Sequence, residues 1–129
     1  MIIDLTLPVS ILALHFIADF VLQSDWMAIN KSKNWYALTA HVLVYSATFT
    51  LFFGWVFGLL TFISHFITDA VTSRVSRMVF PWIPDIQNPK IYWDNEGIGM
   101  RSRHRFFSWI GFDQLIHYVT LALTLKYVV

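Results

Sequence analysis

Two near-copies of one pentapeptide contain the residues best suited to chemistry in this chain. The motif HFIAD at residues 15–19 recurs fifty residues later as HFITD at residues 65–69, and each copy lies inside a long apolar stretch. A histidine and an aspartate at positions i and i+4 of a helix project from the same face, one turn apart. Imidazole and carboxylate groups both bind divalent metal ions. Each copy therefore predicts a pair of metal ligands on one helix face.

Two further apolar segments carry residues of the same types. Asp113 and His117 repeat the spacing in reverse order, and His41 stands alone in another segment. Ionisable side chains are rare in membrane-length segments unless they have a partner or a function. The candidate metal ligands are thus distributed over four segments: His15, Asp19, His41, His65, Asp69, Asp113 and His117.

The composition favours a membrane protein over a water-soluble domain. Of the 129 residues, 57% are hydrophobic and 13% are charged, and the mean hydropathy is +0.57. Four apolar segments each approach the roughly 20 residues that span a bilayer. We predict an all-α polytopic membrane protein, a four-helix bundle of two antiparallel hairpins that forms a single integral membrane domain over residues 1–129. The predicted helices and the loop before the last one are 5–24, 35–54, 55–78 and 105–128, with the loop over about 79–104.

Basic residues are concentrated at two of the predicted connections. Eight of the nine lysines and arginines lie around the first and third connections, and only Lys126 lies on the opposite side. By the positive-inside rule, these two connections face the cytoplasm and both termini face outward. We therefore predict a multi-pass protein of the bacterial inner (cytoplasmic) membrane, with membrane lipid and no nucleic acid among its partners.

This orientation places the polar residues of the helices in layers. Asp19 and Asp69 lie nearer the cytoplasm than their paired histidines, and in the outward-running last helix Asp113 precedes His117. With a rise of 1.5 Å per residue, the aspartates lie roughly 9–12 Å from the cytoplasmic helix ends and the paired histidines roughly 15–18 Å. His41 joins the aspartate layer. All four helices can therefore direct polar groups to one site.

The ligand types predict a divalent metal and leave its identity and number open. Imidazole and carboxylate without cysteine suit zinc, which we take first, or iron(II) or manganese. Seven ligands exceed the four of one tetrahedral zinc site. They fit two ions bridged by a carboxylate, or one ion whose histidines are oriented by further carboxylates. Gln23, one turn beyond Asp19, and Gln114, beside Asp113, could hydrogen-bond to the ligands.

The chain also resembles a known family in a set of features that spans most of its length. These are His15-x-x-x-Asp19-Phe20-x-Leu22-Gln23, the Lys31 region, His41, His65-x-x-x-Asp69 and Phe112-Asp113-Gln114-x-x-His117. With them the chain resembles a small bacterial and phage membrane family catalogued as domain of unknown function 3307. The resemblance implies a membrane location and no particular activity. In style it is similar to small inner-membrane proteins labelled as metal-dependent hydrolases.

A second resemblance concerns only the two HxxxD pairs. Cation diffusion facilitators are zinc exporters that build a four-ligand transport site from a His/Asp-x-x-x-Asp pair on each of two helices, and residues 15–19 and 65–69 resemble that arrangement. We expect fewer than the six helices of those exporters and no cytosolic metal-binding domain. The additional ligands would also overfill a site that must release its ion easily.

The first functional hypothesis is a metal-dependent membrane hydrolase of a lipid-linked or phosphorylated substrate. A bound metal lowers the pKa of its water and polarises the bond under attack. Asp113 and His41 would act as ligand or as general base. Three basic residues before the last helix could hold the phosphate of the substrate: Arg101, Arg103 and Arg105.

Three alternatives remain. A divalent metal-ion transporter would require a homodimer, because four helices leave little room for alternating access. A non-catalytic scaffold would use the histidines only to hydrogen-bond helices together, and a proton relay would need no metal. A tightly retained ion favours the enzyme, an exchangeable ion with flux into proteoliposomes favours transport, and absence of an ion favours the scaffold.

Overall fold

The protein is described by a computed structural model over residues 7–79 and 99–128, and the side chains of residues 29, 76, 77, 79 and 99–107 lie outside that description. Every regular element in the described residues is a helix, which confirms the predicted all-α class. In chain order the elements are α1 (Val9–Phe16), a π-helical turn (Ile17–Val21) that continues α1, α2 (Asp25–Asn30), α3 (Trp35–Phe53), α4 (Trp55–Val79) and α5 (Gly99–Val128).

Short polar signals separate the helices. The Ser24 hydroxyl accepts a hydrogen bond from the backbone N–H of Met27 at 3.2 Å and begins α2. The Asn34 side chain accepts one from the N–H of Tyr36 at 2.8 Å and begins α3. Such caps satisfy backbone donors that the first turn of a helix leaves free. Gly54 separates α3 from α4 with a φ of 89°, a conformation that costs glycine little because it has no Cβ.

The helices differ from the predicted spans mainly at the connections. The first predicted segment, 5–24, is shorter in the structure, and α2 adds a helix that was not predicted. The last helix begins at Gly99, before the predicted start at 105, so the end of the predicted loop is helical. A hydropathy pattern ends where charged residues begin, whereas arginine is a good helix former. The remainder of that loop, 80–98, lies outside the described residues.

The bundle is organised around α4, which packs along both α3 and α5. Gly58 permits the close approach of α4 to α3, because a Cβ at this position would overlap the side chain of Thr50. Near the α3–α4 turn, the rings of Phe49, Phe53 and Phe57 stack and fill the interior. Farther from that turn, the interior is filled by histidines and aspartates. The fold thus has an apolar end and a polar end.

Many polar side chains lie in the interior, and many large apolar side chains lie on the outside. Among the described residues, the buried set contains ten polar or charged residues and ten hydrophobic ones. Large apolar side chains instead cover the outside, with Leu51 84% exposed, Phe52 68% and Ile67 58%. Within the described ranges two helices, α3 and the part of α4 from Trp55 to Val75, are long and apolar enough to cross a membrane.

Candidate metal centre

Four donor atoms from three helical segments converge at the polar end of the bundle. They are Oδ1 of Asp19 in the π-helical turn, Nε2 of His41 in α3, and Nε2 of His65 and Oδ2 of Asp69 in α4. We call these residues the four-donor group. Their side chains are at most 4% exposed, and one ligand atom from each lies within 4.8 Å of the others. The group could therefore hold a metal ion.

Five of the six separations among these atoms are close to those of a tetrahedral site. The His41 Nε2 lies 3.1 Å from the His65 Nε2, 3.1 Å from the Asp19 Oδ1 and 3.2 Å from the Asp69 Oδ2. The His65 Nε2 lies 3.4 Å from each of the same two oxygens. Zinc bonds to nitrogen and oxygen are about 2.0–2.2 Å long, which separates the ligand atoms of a regular tetrahedron by about 3.3–3.6 Å. The observed separations fall at or just below that range.

A second group shares one of these carboxylates. Asp69 directs its Oδ1 to the Nε2 of His117 at 3.0 Å, and the same nitrogen lies 3.5 Å from the Oδ2 of Asp113. Ligand atoms of these three residues again lie within 4.8 Å of one another. We call them the three-donor group. Because Asp69 faces one group with Oδ2 and the other with Oδ1, it has the arrangement of a bridging carboxylate.

The two groups differ in their access from outside. The side chains of the four-donor group are almost completely buried, and His117 is 1% exposed. Asp113, in contrast, is 18% exposed, and Lys31 beside Asp69 is 23% exposed. The cluster is therefore least buried at Asp113, a member of the three-donor group, and at Lys31, which contacts the Oδ2 of Asp69.

Asp19 enters the four-donor group from the point where the first helix changes from α-helical to π-helical winding. The π-helical turn ends with the Leu22 N–H bonded to the Ile17 carbonyl at 2.9 Å. An i to i+5 hydrogen bond inserts an additional residue into the turn and redirects the side chains that follow; such turns are frequent at functional sites. As a result His15 and Asp19, predicted as a ligand pair, have different partners although His15 Nε2 and Asp19 Oδ2 are 3.7 Å apart.

His15 is the predicted ligand that lies in neither donor group. Its Nδ1 is 2.7 Å from the Tyr45 hydroxyl, and its Nε2 is 2.8 Å from the Oε1 of Gln114. The amide oxygen can only accept, so the Nε2 donates to it and the Nδ1 accepts from the tyrosine. Both ring nitrogens are therefore engaged, and His15 holds Gln114 in place.

Gln114 lies where it can orient two carboxylates. Its amide nitrogen donates to the Oδ2 of Asp19 at 3.2 Å and to the Oδ2 of Asp113 at 3.3 Å, which links one aspartate of each donor group. Gln23, the other predicted hydrogen-bonding glutamine, makes no such contact in the described part of the chain, where its buried Oε1 has no partner. The Nδ1 atoms of His41 and His65 are likewise buried without a partner among the described residues.

Lys31 belongs to the site, although the sequence related it only to membrane orientation and to the family resemblance. From the connection between α2 and α3, its Nζ lies 3.4 Å from the Oδ2 of Asp69. Burial alone would lower the pKa of Lys31, but the nearby carboxylates of Asp69, Asp19 and Asp113 outweigh it and raise that pKa, so the ammonium keeps its charge. The sequence signal was ambiguous, because the positive-inside rule already accounts for a lysine here.

A threonine in α4 also contacts the site. Thr72, which was not predicted, is within hydrogen-bonding distance of the Oδ1 of Asp113 and accepts a hydrogen bond at its backbone carbonyl from the Trp109 indole at 3.1 Å. No sequence pattern distinguishes this threonine from the others in α4.

The predicted phosphate ligands Arg101, Arg103 and Arg105 fall in the first turns of α5, and their side chains lie outside the described residues.

Fold and site together define an all-helical protein with a buried His/Asp cluster that could hold a metal ion. The chain belongs to the family described as protein of unknown function (DUF3307), whose model matches residues 7–129, and this confirms the resemblance seen in the sequence. No curated protein and no solved structure shows significant similarity to the chain.

Proposed function

We propose that the protein crosses the membrane four times, with the polar cluster inside the bundle. The inverted distribution of side chains supports this, because lipid tails favour the apolar residues that cover the outside of α3 and α4. Hydroxyl groups along the helices support it further. Those of Thr48, Thr50, Thr68 and Thr124 each donate to the carbonyl four residues earlier, at 2.8–2.9 Å. Such bonds satisfy a hydroxyl where no water is available.

The proposed orientation places the α2–α3 connection in the cytoplasm of a bacterial cell and both termini outside. The chain has no cysteine, so single cysteines can be labelled without background. In spheroplasts, a membrane-impermeant maleimide is expected to label Trp55→Cys and Tyr127→Cys, and to label Lys33→Cys only after lysis. Labelling of Lys33→Cys and Trp55→Cys from the same side would show that α3 does not cross the membrane.

We further propose that the four-donor group binds one divalent ion, zinc before iron(II) or manganese. The observation that carries this proposal is the tetrahedral spacing of its two imidazole nitrogens and two carboxylate oxygens. Burial adds a physical reason. Two carboxylates and two imidazoles that are shielded from water need a cation to balance them, and the ammonium of Lys31 contacts only Asp69 among them.

The function best supported by this geometry is hydrolysis of a phosphorylated or lipid-linked substrate. Four protein ligands fill the coordination sphere of a tetrahedral ion, whereas three leave a position for water, as in catalytic zinc sites. The three-donor group has this open form and lies on the accessible side of the cluster. In hydrolysis of a phosphate ester, the water oxygen bonds to phosphorus and the ester P–O bond breaks. One proton of the water passes to the departing alcohol oxygen, and the other stays on the phosphate.

Transport of a divalent ion is the second candidate, and the four-donor group itself favours it. Its two histidines and two aspartates fill all four positions of a tetrahedral ion and leave no room for a reacting water. A transport site must also open to the other side of the membrane, which in this small bundle would require a second copy of the chain. The three-donor group has no evident task in transport, and we therefore rank hydrolysis first.

Release of inorganic phosphate from a long-chain alkyl phosphate in detergent micelles tests the enzyme. The zinc-loaded protein is expected to release phosphate. Asp113→Asn, which removes a ligand of the three-donor group, is expected to lower the rate on the order of 10²-fold or more. Asp25→Asn, an exposed aspartate at the start of α2, should retain the parent rate. Zinc uptake into proteoliposomes without any phosphate release would instead establish the transporter.

A further inference from the structure

The buried cluster carries an excess of negative charge that one divalent ion would balance. Its carboxylates belong to Asp19, Asp69 and Asp113, and among the described side chains Lys31 is the one ammonium that contacts them. Imidazoles that bind a metal are neutral. With His41, His65 and His117 all neutral, two negative charges remain, and uncompensated charge in a low-dielectric interior is costly. An ion in the four-donor group would cancel this excess.

A second ion in the three-donor group would make the net charge of the cluster positive. It would leave two positive charges in the same buried space, and the two cations that share Asp69 would repel each other. A dianion bound at the open side would remove this excess. That side is formed by Asp113 and Lys31, the partly exposed members of the cluster. The Lys31 ammonium offers three N–H donors and no acceptor, which suits phosphate oxygens.

We propose that the three-donor group takes its divalent ion together with the dianionic phosphate of a monoester, with Lys31 as the residue that contacts the phosphate. The inference rests on the proposed metal-dependent hydrolase and specifies its substrate class, since a phosphodiester carries only one negative charge. Inorganic phosphate and the headgroup of phosphatidic acid share this chemistry. By linkage, bound phosphate raises the affinity for the second ion by the same factor by which the second ion raises the affinity for phosphate.

Counting bound zinc tests the proposal directly. The purified protein is dialysed at limiting free zinc alone, with inorganic phosphate, with phosphatidic acid in mixed micelles, or with phosphatidylcholine in the same micelles. Elemental mass spectrometry should find one ion per chain alone and with phosphatidylcholine, and two with phosphatidic acid. The second ion should bind on the order of tenfold more tightly or better in the presence of the dianion.

The remaining outcomes distinguish free phosphate from a lipid headgroup. They also distinguish failure of this inference from failure of the proposed function. Two ions with inorganic phosphate as well would show that the group alone suffices, and two with phosphatidic acid only would assign the site to a lipid headgroup. Two ions without any phosphate, or one ion in all conditions, would overturn the inference and leave the four-donor site standing. A protein that binds no ion would overturn the proposed function itself.

Variants at the open side provide a second, independent test. Lys31→Met removes a positive charge without removing a metal ligand, which halves the excess positive charge. The second ion should therefore bind more tightly than in the parent when phosphate is absent, and the effect of phosphate should shrink. Lys33→Met, an exposed lysine two residues along the same connection, should behave as the parent. His117→Ala should keep the first ion, which also shows that it folds, and lose the second in every condition. A Lys31→Met variant whose second ion depends on phosphate as strongly as it does in the parent would contradict the role given to Lys31.

Discussion

Replacement of both His41 and His65 with alanine is expected to remove the retained divalent ion from the purified protein. These residues supply the two imidazole vertices of the four-donor group, and their Nε2 atoms lie 3.1 Å apart. Four-ligand structural zinc sites have apparent binding free energies of about 10–16 kcal/mol, or about 3 kcal/mol per ligand. Loss of two ligands should therefore weaken binding on the order of 10⁴-fold. Elemental mass spectrometry of the detergent-purified protein measures the loss.

The matched control for this variant is His15→Ala. His15 is as buried as the two ligands, so its truncation leaves a similar cavity, but it lies in neither donor group. It should retain the ion, with at most the 10–100-fold weakening that follows loss of a residue orienting the ligands. Circular dichroism establishes that each variant keeps its helices. An equal loss of zinc from His15→Ala and from the double variant would show that the tetrahedral group is not the binding site.

Much of the fold could be predicted because hydrophobic length is a local property. A run of apolar residues long enough for a membrane helix can be read from the sequence, and α3 and α4 correspond closely to two such runs. The helix α2 and the early start of α5 at Gly99 could not be found in this way. Both lie in polar sequence, where helix formation depends on caps such as Ser24 and on the rest of the fold rather than on hydropathy.

The site was predictable in its ligand types and less so in its pairings. The i, i+4 spacing of His65 and Asp69 survives in the regular helix α4, where both enter one donor group. The same spacing of His15 and Asp19 spans the start of the π-helical turn, and only the aspartate enters a donor group. A change of winding depends on tertiary packing, which a repeated pentapeptide does not encode. The role of Lys31 likewise depends on tertiary structure, because its side chain reaches from the α2–α3 connection to Asp69 in α4.

Asp69→Asn is expected to have the broadest effect of any single substitution in the chain. Its Oδ2 contacts His41, His65 and Lys31, and its Oδ1 contacts His117, so one carboxylate serves both donor groups. The amide keeps the size of the side chain and loses the charge that binds a cation. We expect loss of both ions, and loss of hydrolysis on the order of 10³-fold or more, since removal of one well-placed electrostatic group alone costs about 10²–10³-fold.

Comparison with the other two aspartates separates a bridging role from a general need for negative charge. Each of the three asparagine variants removes the same charge from the same cluster. Asp19→Asn should lose the ion of the four-donor group, and Asp113→Asn should lose only the phosphate-dependent ion of the three-donor group. Only Asp69→Asn should lose both, because only its carboxylate directs an oxygen to each. If all three variants lost the same number of ions, the two groups would have to be one site, and Asp69 would not be a bridge.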